Sequence, residues 1–165
     1  AWALAALLLF EAGYFASKWT RRNEREWIVF NARKTTLIAQ RDGDKVTVRS
    51  NQSKDQKRLL APFLIANFSE ITATKPLQNT AYFKSKKILL IDSLALYPND
   101  VCPDVVLLRQ SPKINLERLL ADCKPKVIVA DASNFKSYVK RWERTCNQQK
   151  IPFHATAEKG FYRLK

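Results

Sequence analysis

Two short apolar runs, Val105-Val106-Leu107-Leu108 in "DVVLL" and Val127-Ile128-Val129-Ala130 in "KVIVA", carry no polar face at all. A strand of that kind must be covered on both sides, which is the condition of a parallel sheet in α/β proteins. Between the runs, Asn115 is placed to cap a helix that carries Leu116, Leu119, Leu120 and Cys123 on one face, and Pro125 ends it. Strand, helix, strand in this order sets the loops after both strands on one sheet edge, where α/β enzymes keep their chemistry. Yet the first of these loops reads Arg109, Gln110, Ser111, Pro112, without a histidine, a cysteine or a carboxylate.

The rest of the chain fits the same class. Ser133 or Asn134 opens a further helix whose Phe135, Tyr138, Val139, Trp142 and Cys146 recur at helical spacing, as a core face does. "EWIVFNA" reads as a strand buried on both sides, and "KTTLIAQRDGDKVTVRS" as a hairpin around Asp42-Gly43. Pro62 is expected to break or start the helix in "SKDQKRLLAPFLIANFSE". "TAYF" and "KILLID" form a second hairpin, separated by Lys84-Ser85-Lys86. "IPFHAT" and "GFYRL" are expected to pair around Glu158-Lys159-Gly160. The expected fold is α/β, a mixed sheet with covering helices.

The N-terminal stretch "AWALAALLLFEAGYFASKWTRRNEREW" has a different character. It is apolar to Ala16 except for Glu11, and Lys18, Trp19, Arg21, Arg22 and Arg25 close it. An aromatic followed by clustered arginines is how a transmembrane helix leaves a bilayer. A signal peptide fits less well, without a basic start or a small-x-small cleavage site. An amphipathic surface helix is the competing reading, because Glu11 is costly in lipid. The expected division is 1–25, the end of a transmembrane helix with a basic juxtamembrane segment, and 26–165, a cored domain.

Residue usage narrows the chemistry. Three cysteines, Cys102, Cys123 and Cys146, lie far apart without a CxxC pair, and each reads as a small buried residue rather than part of a disulfide framework or zinc site. The one histidine, His154, lies in a strand-like segment and has no nucleophile beside it in the sequence. A formal charge of +14 favours polyanions, either nucleic acid or anionic lipid. No cofactor is expected.

In order and spacing, "KKILLIDS", "PDVVLLRQSP", "KPKVIVADASN" and "IPFHATAEKGFYRL" resemble the closing half of the metallo-β-lactamase-like domain that ends ComEC family competence proteins. The resemblance extends to the N-terminal side, where that family passes from a last transmembrane helix through a basic stretch into a strand like "EWIVFNA". It implies half of an αββα sandwich in degenerate form. Metal-dependent members carry a His-x-His-x-Asp-His cluster. Laid on that cluster, "LLRQSPKINLERLL" puts Gln110, Pro112, Ile114 and Asn115 at the ligand places, and none of these is a usual zinc or manganese ligand. The degenerate edge would comprise Asp92, Gln110, Ser111, Asp131 and Asn134.

What the resemblance implies is a non-catalytic domain of an inner-membrane channel for DNA uptake in natural transformation, guiding single-stranded DNA or supporting channel assembly. Lys84, Lys86, Lys87, Arg109 and Lys113 are the candidate phosphate contacts, expected in loops near that edge. Partners would be single-stranded DNA, the inner membrane with the transmembrane part of the same protein, and other competence proteins. The competing reading is a divalent-metal nuclease or hydrolase using Asp92, Asp131 and Asp104 at strand ends. The arginines after the apolar helix argue for a cytoplasmic side, whereas the family pattern implies a periplasm-facing domain.

Overall fold

A computed structural model describes residues 2–51, 56–98 and 102–165. The chain begins with α1 (Trp2–Arg22), followed by β1 (Arg25–Val29), β2 (Leu37–Asp42) and β3 (Lys45–Ser50). Next come α2 (Gln56–Ala66), β4 (Glu70–Lys75), β5 (Thr80–Phe83) and β6 (Lys86–Ile91). The last part holds β7 (Val105–Leu108), α3 (Leu116–Cys123), β8 (Val127–Ala130), α4 (Lys136–Gln148), β9 (Phe153–Ala155), α5 (Thr156–Lys159) and β10 (Tyr162–Leu164).

The two apolar runs are β7 and β8, parallel neighbours in a five-stranded sheet of order β5-β6-β7-β8-β9. Every residue of β7 is buried, because both faces of that sheet are covered. Asn115 caps α3 as its position in the sequence predicts, its side chain accepting from the Arg118 N–H at 3.1 Å. At the other end Lys124 takes a left-handed φ of 44° and Pro125 prevents continuation. The stripe on α4 is core at Val139, Trp142 and Cys146, while Phe135 is left exposed.

A second five-stranded sheet, β10-β1-β2-β3-β4, lies against the first. Trp27, Val29, Ile38 and Leu164 from it interlock with Ile88, Leu90, Val105, Leu107 and Val129 from its partner. Helices α3 and α4 cover the outer face of the first sheet, and α2 packs on the outer face of the second through Leu60 and Phe63. The architecture is α/β with two mixed sheets, layered helix, sheet, sheet, helix. The sequence predicts one mixed sheet; the structure has two of them, stacked.

Four further expectations are corrected. The segments "IPFHAT" and "GFYRL" do not pair with each other: β9 joins β8 in parallel, and β10 crosses to the other sheet and runs antiparallel to β1. Each finds an open edge of a different sheet, with α5 carrying the chain across. Pro62 lies inside a continuous α2; the turn loses one backbone bond to Arg58, and the docking of Leu60 and Phe63 holds the helix together. The cap of α4 is Phe135, without a side-chain bond, since Ser133 and Asn134 are engaged elsewhere. Of the cysteines, Cys146 alone is buried, while Cys102 is exposed and Cys123 half-buried. The strand β4, parallel to β3 across α2, has no clear signature in the sequence, because "EITATK" is short and mostly polar.

The N-terminal apolar stretch is helical, but none of its residues is buried. Among the described residues no helix is long and apolar enough to cross a membrane. The C-terminus of α1 is held at the β2–β3 turn. That turn is Gly43-Asp44, one residue later than Asp42-Gly43, since Asp42 faces Lys45 in the ladder. Gly43 has a φ of 65°, and a Cβ there would stand 2.6 Å from the Arg22 carbonyl oxygen. Gly43→Ala is expected to cost about 2 kcal/mol through the left-handed backbone and that contact, read as a lower urea midpoint with an unchanged slope.

Candidate functional site

The parallel ladder sets the geometry of the edge named above. Ile91, Leu108 and Ala130 are aligned across β6, β7 and β8, so Asp92, Arg109 and Asp131 leave the sheet side by side. The Arg109 N–H bonds the Ile91 carbonyl at 3.0 Å, and the Asp131 N–H bonds that of Leu108 at 3.1 Å.

Asp131 is the centre of this edge and is 1% exposed. Its Oδ1 accepts from the Ser133 N–H at 3.0 Å, the Ser133 hydroxyl at 2.5 Å and the Asn134 amide at 3.1 Å. Its Oδ2 accepts from the Thr36 hydroxyl, which arrives from the residue just before β2 of the opposite sheet. Burial pushes the Asp131 carboxyl above its ordinary range, against the opposing pull of the Ser133 and Thr36 hydrogen bonds and the Arg109 charge. A carboxylate with both oxygens committed to buried donors serves as a tie between sheets.

The loop after β7 is stitched to the loop after β8. Gln110 and Ser111 both take left-handed φ values, 57° and 54°, a conformation that costs non-glycine residues about 1–2 kcal/mol each. Three bonds offset this: the Gln110 N–H to the Ser133 Oγ at 2.8 Å, the Ser111 N–H to the Asn134 Oδ1 at 2.7 Å, and the Phe135 N–H to the Ser111 Oγ at 2.8 Å. Asn134 also donates to the Leu108 carbonyl at 2.6 Å. Four of the five residues assigned to this edge from sequence, Gln110, Ser111, Asp131 and Asn134, therefore form one network. The fifth, Asp92, stands beside it, paired with Arg109 at 3.5 Å and accepting the Leu94 N–H at 3.0 Å.

The strand-end aspartates do not converge. Asp104 precedes β7 and lies at the opposite end of the sheet, where it accepts the Lys87 N–H at 2.9 Å and pairs with Lys126 at 2.8 Å. The side-chain bond from Lys126 and the backbone bond from Lys87 hold its carboxyl below the ordinary range. Among the described residues no group of three histidine, cysteine, aspartate or glutamate side chains is placed to hold a metal ion. The residues laid on the ligand places by the resemblance have these positions. Gln110 is a strained loop residue, Pro112 is buried, Ile114 packs on the core and Asn115 caps α3.

The candidate phosphate contacts are split between both ends of the sheet, which corrects their expected grouping in loops near one edge. Lys84 is in the β5–β6 turn, and Lys86 and Lys87 begin β6, at the end opposite Arg109. Arg109 is 12% exposed in its side chain and committed to Asp92, whereas Lys113 is exposed. His154 lies in β9, with its Nε2 3.0 Å from the Gly160 carbonyl oxygen and its ring beside Tyr162. Thr36 escapes sequence reasoning: it stands 95 positions from Asp131, and nothing in "KTTL" marks it.

Residues 27–165 match the family model described as the ComEC C-terminal domain. No curated protein matches the chain.

Proposed function

The chain belongs to the ComEC C-terminal domain family, and on that premise we propose that it serves DNA uptake in natural transformation as a domain without catalytic chemistry of its own. The scaffold on this reading is a metallo-β-lactamase-like sandwich whose metal ligands have been replaced. The observation that carries it is the edge at β7 and β8, where Asp131, Ser111 and Asn134 hold loops and bridge sheets. These groups are occupied by structure. The paired sheets with helices outside support the same scaffold.

The work left to such a domain is electrostatic. With a formal charge of +14, it would draw phosphates by a salt-sensitive, sequence-blind attraction. Lys84, Lys86 and Lys87 cluster at one end of the sheet and Lys113 stands on a loop at the other, so the favoured track starts from the β5–β6 turn. Helix α1, apolar and uncovered, would lie against the inner membrane and the transmembrane part of the same protein, with the domain facing the periplasm.

The test is fluorescence anisotropy of a labelled oligothymidine with the whole chain across a salt series. Affinity is expected to fall steeply with salt. Replacing Lys84, Lys86 and Lys87 by Gln should flatten the log–log slope by about 2, because each phosphate neutralised on a single strand contributes roughly 0.7 to it. Binding that is absent at low salt, or a slope unchanged by the triple replacement, would remove the proposed track.

A further inference from the structure

The sequence separates Cys102 from Cys123 by a strand, a loop and a helix, and the fold brings them back together. Their sulfurs are 3.1 Å apart, and the Cys102 thiol donates to Cys123. Cys102 is exposed, shortly before β7, and Cys123 is the last residue of α3. Cys146 is on the buried face of α4, in the core.

From this juxtaposition we propose that Cys102 and Cys123 are a disulfide site, closed by exchange with a small-molecule or protein disulfide. Cys102, being exposed, attacks the external disulfide first; one of its two sulfurs bonds to Cys102 and the other leaves as a thiol. Cys123 then displaces the remaining half, which leaves as a second thiol. One S–S bond breaks in the donor and one forms in the protein; two electrons pass to the donor, and its two leaving groups take up the two protons. Two sulfurs already in contact give the second step a large advantage over any external thiol. Burial, and then the contact with Cys102, push the Cys123 thiol up to about 11, which makes it the poorer first nucleophile.

The bond would pin Cys102, shortly before β7, to the C-terminal end of α3. Pro103, next to Cys102, and Cys123 both line a cleft of about 400 Å³, with Tyr97, Lys113 and Arg118 among others. Oxidation therefore ties two lining residues of that cleft together, Cys123 directly and Pro103 through its neighbour Cys102. The site stands on the cysteine geometry alone and is independent of the DNA-uptake reading.

The experiment exposes the whole folded chain to excess glutathione disulfide, followed by intact-mass measurement and thiol titration after denaturation. The expected product is about 2 Da lighter, retains one of the three thiols, yields a Cys102–Cys123 linked peptide and melts roughly 5–10 °C higher. C146S should give the same bond, while C102S and C123S should stop at a mixed disulfide or remain unmodified. Three thiols surviving in the wild-type chain, a stable glutathione adduct on Cys102, or a bond that includes Cys146 would each overturn the assignment.

Discussion

Arg41→Ala is expected to lower stability by about 3–5 kcal/mol, the range for removing one partner of a fully buried ion pair. The guanidinium is wholly buried and is the hub of the corner where α1 meets the domain. It donates to the Arg21 carbonyl at 2.7 Å, the Gly43 carbonyl at 3.0 Å and the Glu24 carboxylate at 2.8 Å. It also lies 3.4 Å from Glu26, another wholly buried side chain. Without Arg41, the cations left to Glu26 among the described residues are Arg163 at 3.6 Å and Lys165 at 3.9 Å, both too long for hydrogen bonds.

Two controls separate charge from packing. Arg41→Met combined with Glu26→Leu should recover at least half of the loss, because a buried pair replaced by apolar groups is often near neutral. Trypsin cleavage after Arg21 and Arg22 should accelerate in Arg41→Ala, since the bonds to the Arg21 carbonyl and the Glu24 carboxylate at the helix exit disappear together. Urea unfolding and timed proteolysis read these outcomes. A destabilisation under about 1 kcal/mol, the scale of an exposed pair, would mean that the helix exit is held by something other than this guanidinium. With α1 against the membrane as proposed, Arg41 is the residue that ties its direction to the domain.

Asp131→Ala is expected to cost roughly 2–4 kcal/mol, because it deprives several buried donors of their acceptor. Thr36, wholly buried, loses its partner, and the Ser133 and Asn134 bonds to Oδ1 go with it. The strained pair Gln110-Ser111 depends on those same anchors, so hydrogen exchange should rise at residues 109–112 before global unfolding. Asp131→Asn should lose less, as its amide oxygen still accepts and the Thr36 hydroxyl can turn to accept in its place.

The pH dependence has a defined sign. Burial raises the folded-state carboxyl above the ordinary value of 3.8, so the native state holds the proton more tightly than the unfolded chain. The contribution is fully present below the unfolded value and is lost as pH rises through the folded one. The stability difference between wild type and Asp131→Asn should therefore shrink with rising pH across that window. A difference that grows instead would show that the hydrogen bonds outweigh burial and that the carboxylate is favoured as the anion.

The two central strands β7 and β8 show how far local pattern reaches. They are legible because burial on both faces leaves an unbroken apolar signature in four consecutive residues, and Asn115 is legible because capping is settled within a single turn. The composition of the network is half legible: Gln110, Ser111, Asp131 and Asn134 follow from strand ends in register. Arg109 falls in the loop where the sequence puts it, but its pairing with Asp92 is not readable, since charge in a sequence carries no partner.

Sequence alone determined the α/β class, most strand and helix positions and the sparing use of histidine and cysteine, all of which depend on the periodicity or identity of neighbouring residues. The tertiary structure decided which sheet edge each of β9 and β10 would join, that Thr36 reaches Asp131, that Pro62 stays inside a helix, and that Cys102 meets Cys123. In each of these cases the free energy comes from contacts between segments separated in the chain, where an open edge, a docking face, a buried donor or a neighbouring sulfur exists only once the layers of the fold have formed.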